Sequence, residues 1–361
     1  MHHDFWLTLS ELAIDGFLRP LHEFCRSRGV PLQMEAYGRP PVGLQAFSWV
    51  DMPMGEGRNW KELSAARWAA SGAHIYGKTV VAAETYTGLL PWTYGRGDAA
   101  RGIIYPEFCA GRECGPRFVS SLQDMKAASD LYFLSGINHF FAHGYSYSPP
   151  SVGWPGWAYY AGVIINDNQP WWPYFPFLSQ YINRTSHVLR QGSFVADLAV
   201  YLPEHDAMAN WPAGELDLFK RTAHEVGPHL VGTIVTNGYA FDAVNDDIIQ
   251  NRSRIEGGLL QIGNQEYPVI LLPDIDGLPV ATLERVAEFC QKGGKVVATG
   301  SLPTKSWGLL RRTENARRVQ ALVQEIFGSI PSGATVHRHQ FGKGIAVWVH
   351  DDQATLAQVL R

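Results

Sequence analysis

Helix-like and strand-like segments alternate along the first half of the chain, and this alternation most constrains its fold. Apolar residues at helical spacing predict amphipathic helices, and short apolar runs bounded by Gly, Pro or polar residues predict buried strands. The predicted helices span residues 4–28, 60–74, 122–134 and 177–191, and the predicted strands span residues 32–37, 80–87 and 137–144. Such alternation favours a parallel sheet covered by helices. Three strand–helix units resemble the last three of a (β/α)8 barrel.

A second alternating pattern begins near Ala196. Its predicted strands span residues 198–202, 269–272, 295–300 and 345–349, and its predicted helices span residues 278–292 and 315–327. This pattern is typical of a flavodoxin-like doubly wound domain. The turn at residues 273–277 has no Gly-rich phosphate-binding fingerprint, which favours a structural or oligomerising role over a catalytic one. The predicted class is α/β, with a partial (β/α)8-barrel catalytic domain at residues 1–195 and a flavodoxin-like α/β domain at residues 196–361.

Charge and hydropathy argue against several classes of partner. The chain has 361 residues, with 30 Lys and Arg against 34 Asp and Glu and no basic cluster, so no nucleic acid is expected. No apolar run is long enough to span a bilayer, so no membrane is expected either. No signal peptide is visible at the start, and the compartment stays open between bacterial periplasm and cytoplasm. Cys109 and Cys114 could form a local disulfide or half of a metal site, but no second Cys or His pair accompanies them, which favours two free thiols.

Glu84 lies in the apolar run that begins at Val80. Burying an unpaired carboxylate is costly, so this side chain needs either partners or a chemical role. Barrel enzymes carry their catalytic residues at the carboxyl ends of the strands. A long loop over residues 88–120 follows, and loops of this length are usually functional. Glu84 is therefore the first catalytic candidate, and the alternative is a buried glutamate paired with Lys or Arg.

Aromatic residues are abundant, and many of the 12 Trp, 15 Tyr and 17 Phe lie in polar loops of the first half. Aromatic rings offer rigid amphipathic contact area, which suits the C–H faces and hydroxyls of a sugar. The expected partner is therefore a carbohydrate. The candidates for substrate binding are Tyr37, His143, Tyr147 and Trp171. Individually, an aromatic residue or a histidine at these positions is also compatible with a place in the core.

Several stretches resemble glycoside hydrolase family 106, the α-L-rhamnosidases. They are residues 51–57 (DMPMGEG), 83–86 (AETY), 143–150 (HGYSYSPP), 166–172 (NDNQPWW), 189–203 and 241–247. The resemblance covers most of the chain. It implies a (β/α)8 barrel, a bound calcium ion and an inverting mechanism with two glutamates.

The resemblance also implies roles for individual glutamates. Glu84 matches the general base, and Glu56 matches a glutamate that helps to hold calcium. Calcium prefers carboxylate and carbonyl oxygens, which Asp51 and Glu56 could supply together, although the polar loop at residues 51–57 also suits a solvated Glu56. The family's general acid lies on an earlier strand, and only 83 residues precede Glu84. Glu35 is the in-chain candidate for the acid, and a structural or substrate-binding role for it is the competing interpretation.

Three functions compete. The first is an inverting α-L-rhamnosidase-like hydrolase that removes terminal L-rhamnose from plant or microbial glycans or glycosides, with an incomplete fragment lacking the general acid as one variant. The second is a non-catalytic carbohydrate-binding or assembly fragment. The third is a β-galactosidase like those of family 42, in which Glu84 would be a nucleophile about 5–5.5 Å from the acid. An open barrel edge would favour self-association or the docking of a missing N-terminal portion.

Overall fold

The computed structural model describes residues 1–87, 120–154, 156–157, 164–211, 217–350 and 353–360. These residues form two largely parallel sheets, a small antiparallel sheet and the helices that cover them. Nearly all of the predicted loop at residues 88–120, including Cys109 and Cys114, lies outside the described residues. Within the described ranges, no helix is both long and apolar enough to cross a membrane.

The first sheet consists of parallel strands paired in chain order. They are β1 (Gln33–Met34), β2 (Met52–Gly55), β3 (Ala82–Thr85) and β4 (His139–Ala142). The prediction of a polar loop at residues 51–57 was wrong, because β2 pairs with both β1 and β3. The segment contains Pro53 and Gly55 and no β-branched residue, so its composition does not suggest a strand. The sheet thus has one strand more than expected, and Glu56 lies at a strand end.

The helices of the first half lie close to their predicted positions. They are α1 (His2–Ala13), α2 (Arg19–Ser27), α3 (Ala65–Ile75), α4 (Leu122–Leu134) and α5 (Phe175–Leu189). A π-helical turn at Ile14–Leu18 joins α1 to α2, so the first predicted helix is a continuous helical run of three parts. A capping box begins α4, in which Ser121 and Asp124 each accept a hydrogen bond from the other's backbone N–H.

The second half contains a larger sheet and a small antiparallel one. Its strands are β5 (Leu198–Tyr201), β6 (Phe241–Val244), β7 (Ser253–Glu256), β8 (Leu259–Ile262), β9 (Gln265–Tyr267), β10 (Val269–Leu272), β11 (Lys295–Thr299), β12 (Val336–Phe341) and β13 (Gly344–Val349). The larger sheet has the order β12-β13-β11-β10-β5-β6, with β12 antiparallel to β13, and β7, β8 and β9 form the small sheet. Strands β5, β10, β11 and β13 were predicted, whereas β6, β12 and the small sheet were not.

Six helices accompany these strands in the described part of the second half. They are α6 (Glu204–Ala209), α7 (Leu218–Val226), α8 (Leu230–Thr236), α9 (Val280–Gln291), α10 (Arg312–Phe327) and α11 (Gln353–Leu360). The predicted helices correspond to α9 and α10. The short helices α6, α7 and α8 were not predicted, since few residues carry each periodic pattern.

Helix α3 is buried almost all round because it packs between the two larger sheets. It contacts β2 and β3 on one side and β6 on the other. Its sequence, AARWAASGAHI, is rich in small residues that allow a close approach of backbones. Ser71 Oγ accepts a hydrogen bond from the Ala243 N–H at 2.9 Å, and His74 Nδ1 lies 2.8 Å from Asp242 Oδ1. One large hydrophobic core contains residues of both sheets.

Candidate active site

The carboxyl ends of the first sheet bring four polar side chains to one edge. Glu35 follows β1, Glu56 follows β2, Glu84 lies near the end of β3, and His143 follows β4. Parallel strands end at the same edge of a sheet, which is where barrel enzymes place their catalytic groups. The electrostatics agree with this arrangement, because the charges of Glu56 and Glu84 both raise the pKa of Glu35. These side chains therefore share one site.

Two side chains hold the Glu84 carboxylate through the same oxygen. Glu84 Oε1 lies 2.5 Å from His143 Nδ1, and the Thr87 hydroxyl donates to it at 3.1 Å. Because a carboxylate only accepts, His143 Nδ1 carries the hydrogen of this contact. Within the described residues, Glu84 Oε2 accepts no hydrogen bond.

Burial gives Glu35 and Glu56 a higher pKa than that of ordinary surface carboxyls. It raises the pKa of Glu35 to about 7, and the neighbouring negative charges add to the rise. Burial also raises the pKa of Glu56, as does the charge of Glu84, while the charges of Lys220 and His143 oppose the rise. A carboxyl with a pKa near 7 is protonated in many molecules at neutral pH, as a general acid must be.

Two buried polar atoms of the site lack partners. Within the described ranges, Glu35 Oε1 and the Tyr37 hydroxyl form no hydrogen bond. The Tyr37 hydroxyl lies close enough to Glu35 and Glu56 to favour their charged forms, although the geometry of a hydrogen bond is not met. An unpaired buried polar group costs about 1–3 kcal/mol. A bound sugar hydroxyl would relieve this cost, which suits the expected substrate-binding role of Tyr37.

Helix α7, from the second half of the chain, also reaches the site. Lys220 lies near enough to Glu56 to lower its pKa, and it lies 3.5 Å from Asp217 Oδ2. The Phe219 ring meets the Tyr37 ring edge-on at 5.5 Å. Lys220 was not predicted as a site residue, because it is remote from the glutamates in sequence and carries no local signal. Thr87 was missed too, although its place shortly after Glu84 was a usable signal.

The two remaining aromatic candidates have different surroundings. Tyr147 is exposed in the loop after β4. Trp171 is half-buried, donates its Nε1 hydrogen to the Ser120 carbonyl at 2.9 Å, and packs on a small core that includes Met125 and Leu178. These contacts explain Trp171 by packing, whereas the ring of Tyr147 is accessible to a ligand.

The two carboxylates expected to hold calcium lie at opposite ends of β2. Asp51 Oδ2 accepts a hydrogen bond from the Leu32 N–H at 2.8 Å, at the start of β2, whereas Glu56 follows its end. Five residues of extended strand place the Cα atoms of Asp51 and Glu56 roughly 16 Å apart, which does not favour a shared ion, and calcium binding stays a prediction. No group of three or more His, Cys, Asp or Glu in the described ranges has the arrangement of a metal site.

Clustered carboxyls at the ends of parallel strands, one of them with a pKa near 7, are the arrangement of a glycoside hydrolase. The sequence model of glycoside hydrolase family 106, described as alpha-L-rhamnosidase, matches residues 108–360. The chain belongs to this family. The matched range contains His143, Tyr147 and Trp171 and begins after the three glutamates.

The chain is similar in structure to several solved glycoside hydrolases and in sequence to one curated protein. The rhamnosidase from Novosphingobium sp. PP1Y aligns with a TM-score of 0.66 at 21% identity, over 99% of this chain and 31% of that chain. A β-galactosidase from Halorubrum lacusprofundi aligns with a TM-score of 0.57 at 12% identity, over 97% of this chain and 57% of that chain. A putative beta-glucuronidase from Formosa agariphila is 24% identical over 328 residues, 90% of this chain and 24% of its own length. The likeness to the solved structures shows an α/β fold shared with glycoside hydrolases.

Proposed function

We propose that this chain carries the catalytic strand ends of an inverting α-L-rhamnosidase, which removes terminal L-rhamnose from glycans or glycosides. The observation that carries the proposal is the Glu84 carboxylate, held by His143 and Thr87 beside two carboxyls of raised pKa. Membership of the α-L-rhamnosidase family supports the substrate class. The chain spans 31% of the length of the similar rhamnosidase, so the activity is proposed for the protein as a whole.

In this mechanism Glu84 is the general base. Its Oε2 takes a proton from a water molecule while the water oxygen bonds to the anomeric carbon, and the bond to the leaving oxygen breaks on the opposite face. His143 and Thr87 are positioning residues, since they orient the carboxylate through Oε1. The leaving oxygen needs a proton, for which Glu35 is the in-chain candidate. Proton exchange with solvent then restores both carboxyls.

Glu56 is proposed as one ligand of a calcium ion whose other ligands come from backbone, substrate or residues outside the described ranges. Calcium would favour the charged form of this buried carboxyl. Chelation should lower the melting temperature of the wild-type protein and leave that of Glu56→Gln unchanged. Equal melting temperatures of the wild type with and without chelator would remove calcium from the site.

The architecture is proposed to be a partial (β/α)8 barrel at residues 1–195 followed by a flavodoxin-like domain at residues 196–361. Numbered in chain order, the parallel strands of the second sheet have the order 2-1-3-4-5, which supports the flavodoxin-like assignment. Strands β1 and β4 lie at the edges of the first sheet. Self-association or the docking of further strand–helix units at these edges is part of the proposal.

The stereochemistry of the first product tests the mechanism. Nuclear magnetic resonance of the sugar released from 2,4-dinitrophenyl α-L-rhamnoside should show the inverted anomer. A retained anomer would favour the mechanism expected for a family 42-like enzyme, and no release at all would favour a non-catalytic role. Glu84→Gln should lower kcat/KM by about 10²- to 10⁴-fold at an unchanged melting temperature. Glu62→Gln, at an exposed carboxylate, is the matched control.

A further inference from the structure

An uncharged segment rich in aromatic residues follows the candidate active site in the chain. Residues 144–166 contain no Asp, Glu, Lys or Arg, although charged residues make up 18% of the chain. The segment begins directly after His143, whose ring contacts Glu84. Four aromatic side chains in its described part are 55–75% exposed, and we call them the aromatic patch: Tyr145, Tyr147, Trp154 and Trp157.

Polar contacts hold the backbone beneath the aromatic patch. The buried Asn166 side chain donates to the Ser146 carbonyl at 2.8 Å, and the Trp157 N–H donates to Ser148 Oγ at 2.7 Å. Gly156 has a φ of +85° and lies against Ser148, so a larger residue there would be strained. The rings are thus carried on a backbone with defined contacts, which reduces the ordering cost of binding a ligand.

The chemistry of the aromatic patch selects its ligand. Exposed Tyr and Trp rings form an amphipathic surface that suits the C–H faces of sugars. Residues 144–166 offer no cationic side chain to a carboxylate, sulfate or phosphate, and the adjoining Asp167, which accepts from the Tyr145 hydroxyl at 3.4 Å, disfavours an anionic ligand. The segment starts directly after His143, whose ring contacts Glu84, so the rings follow the site in sequence.

We infer that the aromatic patch binds the neutral sugar residues beyond the cleaved bond. The substrate is then a neutral oligosaccharide or polysaccharide rather than a glycoside of a small alcohol. This inference rests on the proposed function for its location, because the patch adjoins the carboxylates assigned to catalysis. The stacking itself does not need hydrolysis, which allows the two proposals to be tested apart.

Calorimetric titration of the whole chain tests the inference. The probes are neutral gluco-, galacto-, manno- and xylo-hexasaccharides, with hexagalacturonate as the acidic comparison. At least one neutral hexasaccharide should bind more tightly than hexagalacturonate. Trp157→Ala should weaken that binding about three- to tenfold, the effect of one stacked ring. Phe177→Ala removes a ring that is 68% exposed on α5, outside the aromatic patch, and should leave the affinity unchanged.

The inference is overturned if no neutral hexasaccharide binds, if hexagalacturonate binds more tightly, or if Trp157→Ala and Phe177→Ala act alike. Failure of the proposed function has a different signature. In that case 2,4-dinitrophenyl α-L-rhamnoside is not cleaved, while the neutral hexasaccharide still binds and still depends on Trp157. If the rhamnoside is cleaved but binding of the neutral hexasaccharide does not depend on Trp157, only the inference about the aromatic patch is wrong.

Discussion

Single residues of the site differ in chemistry because their surroundings differ. Glu84 accepts hydrogen bonds from Thr87 and His143, whereas Glu35 has a buried oxygen with no partner in the described residues. Burial disfavours the charged form of Glu35 and raises its pKa, whereas the donors at Glu84 fix the orientation of that carboxylate. The two carboxyls lie at the ends of β1 and β3, on either side of β2, and their surroundings suit them to different tasks.

The activity towards an alkyl rhamnoside should fall as the pH rises through about 7, because Glu35 then loses the proton that the leaving oxygen needs. Glu35→Gln should lower kcat/KM on this substrate about 10²-fold and abolish the alkaline limb of the pH profile. The dinitrophenyl rhamnoside, whose leaving group needs no proton, should show neither effect. An alkaline limb that persists in Glu35→Gln would assign the titration to another group.

Thr87→Val should lower kcat/KM about tenfold, because it removes one hydrogen bond to a charged oxygen and loosens the orientation of Glu84. Thr87→Ser keeps the hydroxyl and should restore most of the activity. Steady-state kinetics on the dinitrophenyl substrate provides the comparison. Normal turnover in Thr87→Val would show that His143 alone holds the carboxylate.

At the scale of secondary-structure elements, the contact between β2 and α3 positions Glu56. The Ala66 N–H donates to the Glu56 carbonyl at 2.7 Å, which ties the end of the strand to the start of the helix. A Cβ at Gly55 would overlap the Ala65 carbonyl oxygen, a backbone atom that cannot move alone. Glycine at this position therefore permits the close approach of strand and helix.

Gly55→Ala should lower the free energy of unfolding by about 1–3 kcal/mol, the usual cost of an overpacked site. Urea denaturation measures this change. Gly16→Ala is the matched control, since no atom lies within 4 Å of its added methyl group and alanine favours helical structure. Equal stability of the two variants would show that β2 and α3 separate without cost.

At the scale of the whole molecule, a buried carboxyl joins the two halves of the chain. Glu204 in α6 accepts hydrogen bonds from the Leu44 N–H at 2.8 Å and from Asn245 Nδ2 at 2.9 Å. Burial raises the pKa of Glu204 to about 7, and the two hydrogen bonds only partly oppose this effect. The contact between the halves therefore contains a group that titrates near neutral pH.

Glu204 should make the protein less stable as the pH rises from about 4.5 to 7. Its pKa is higher in the folded state than the ordinary value of 4.5, so the folded protein binds more protons than the unfolded chain between these pH values. The stability that this proton binding contributes is lost as the pH rises to about 7. Glu204→Gln should remove ~3 kcal/mol of the decline, measured as the change in unfolding free energy between pH 5 and pH 8. A decline of equal size in both proteins would place the titration elsewhere.

Local patterns predicted most helices and the apolar strands, because periodicity and capping act over a few residues. The missed strand β6 shows where such patterns fail. It contains Asp242, a residue that strands usually avoid, and the carboxylate is buried there because His74 and the Tyr267 hydroxyl contact it. His74 and Tyr267 lie outside the strand's own sequence segment, so no local pattern could predict this strand.

For the site, the sequence by itself determined that Glu84 lies in a strand and that Glu35 and His143 lie near strand ends, since each position is a local property of an apolar run. Only the tertiary structure decided which of these side chains meet. The contact between Glu84 and His143 exists because β3 and β4 pair side by side, although the two residues are far apart in sequence. Likewise, the raised pKa of Glu35 depends on burial and on the charges of Glu56 and Glu84, which only the packing of separate strands brings together.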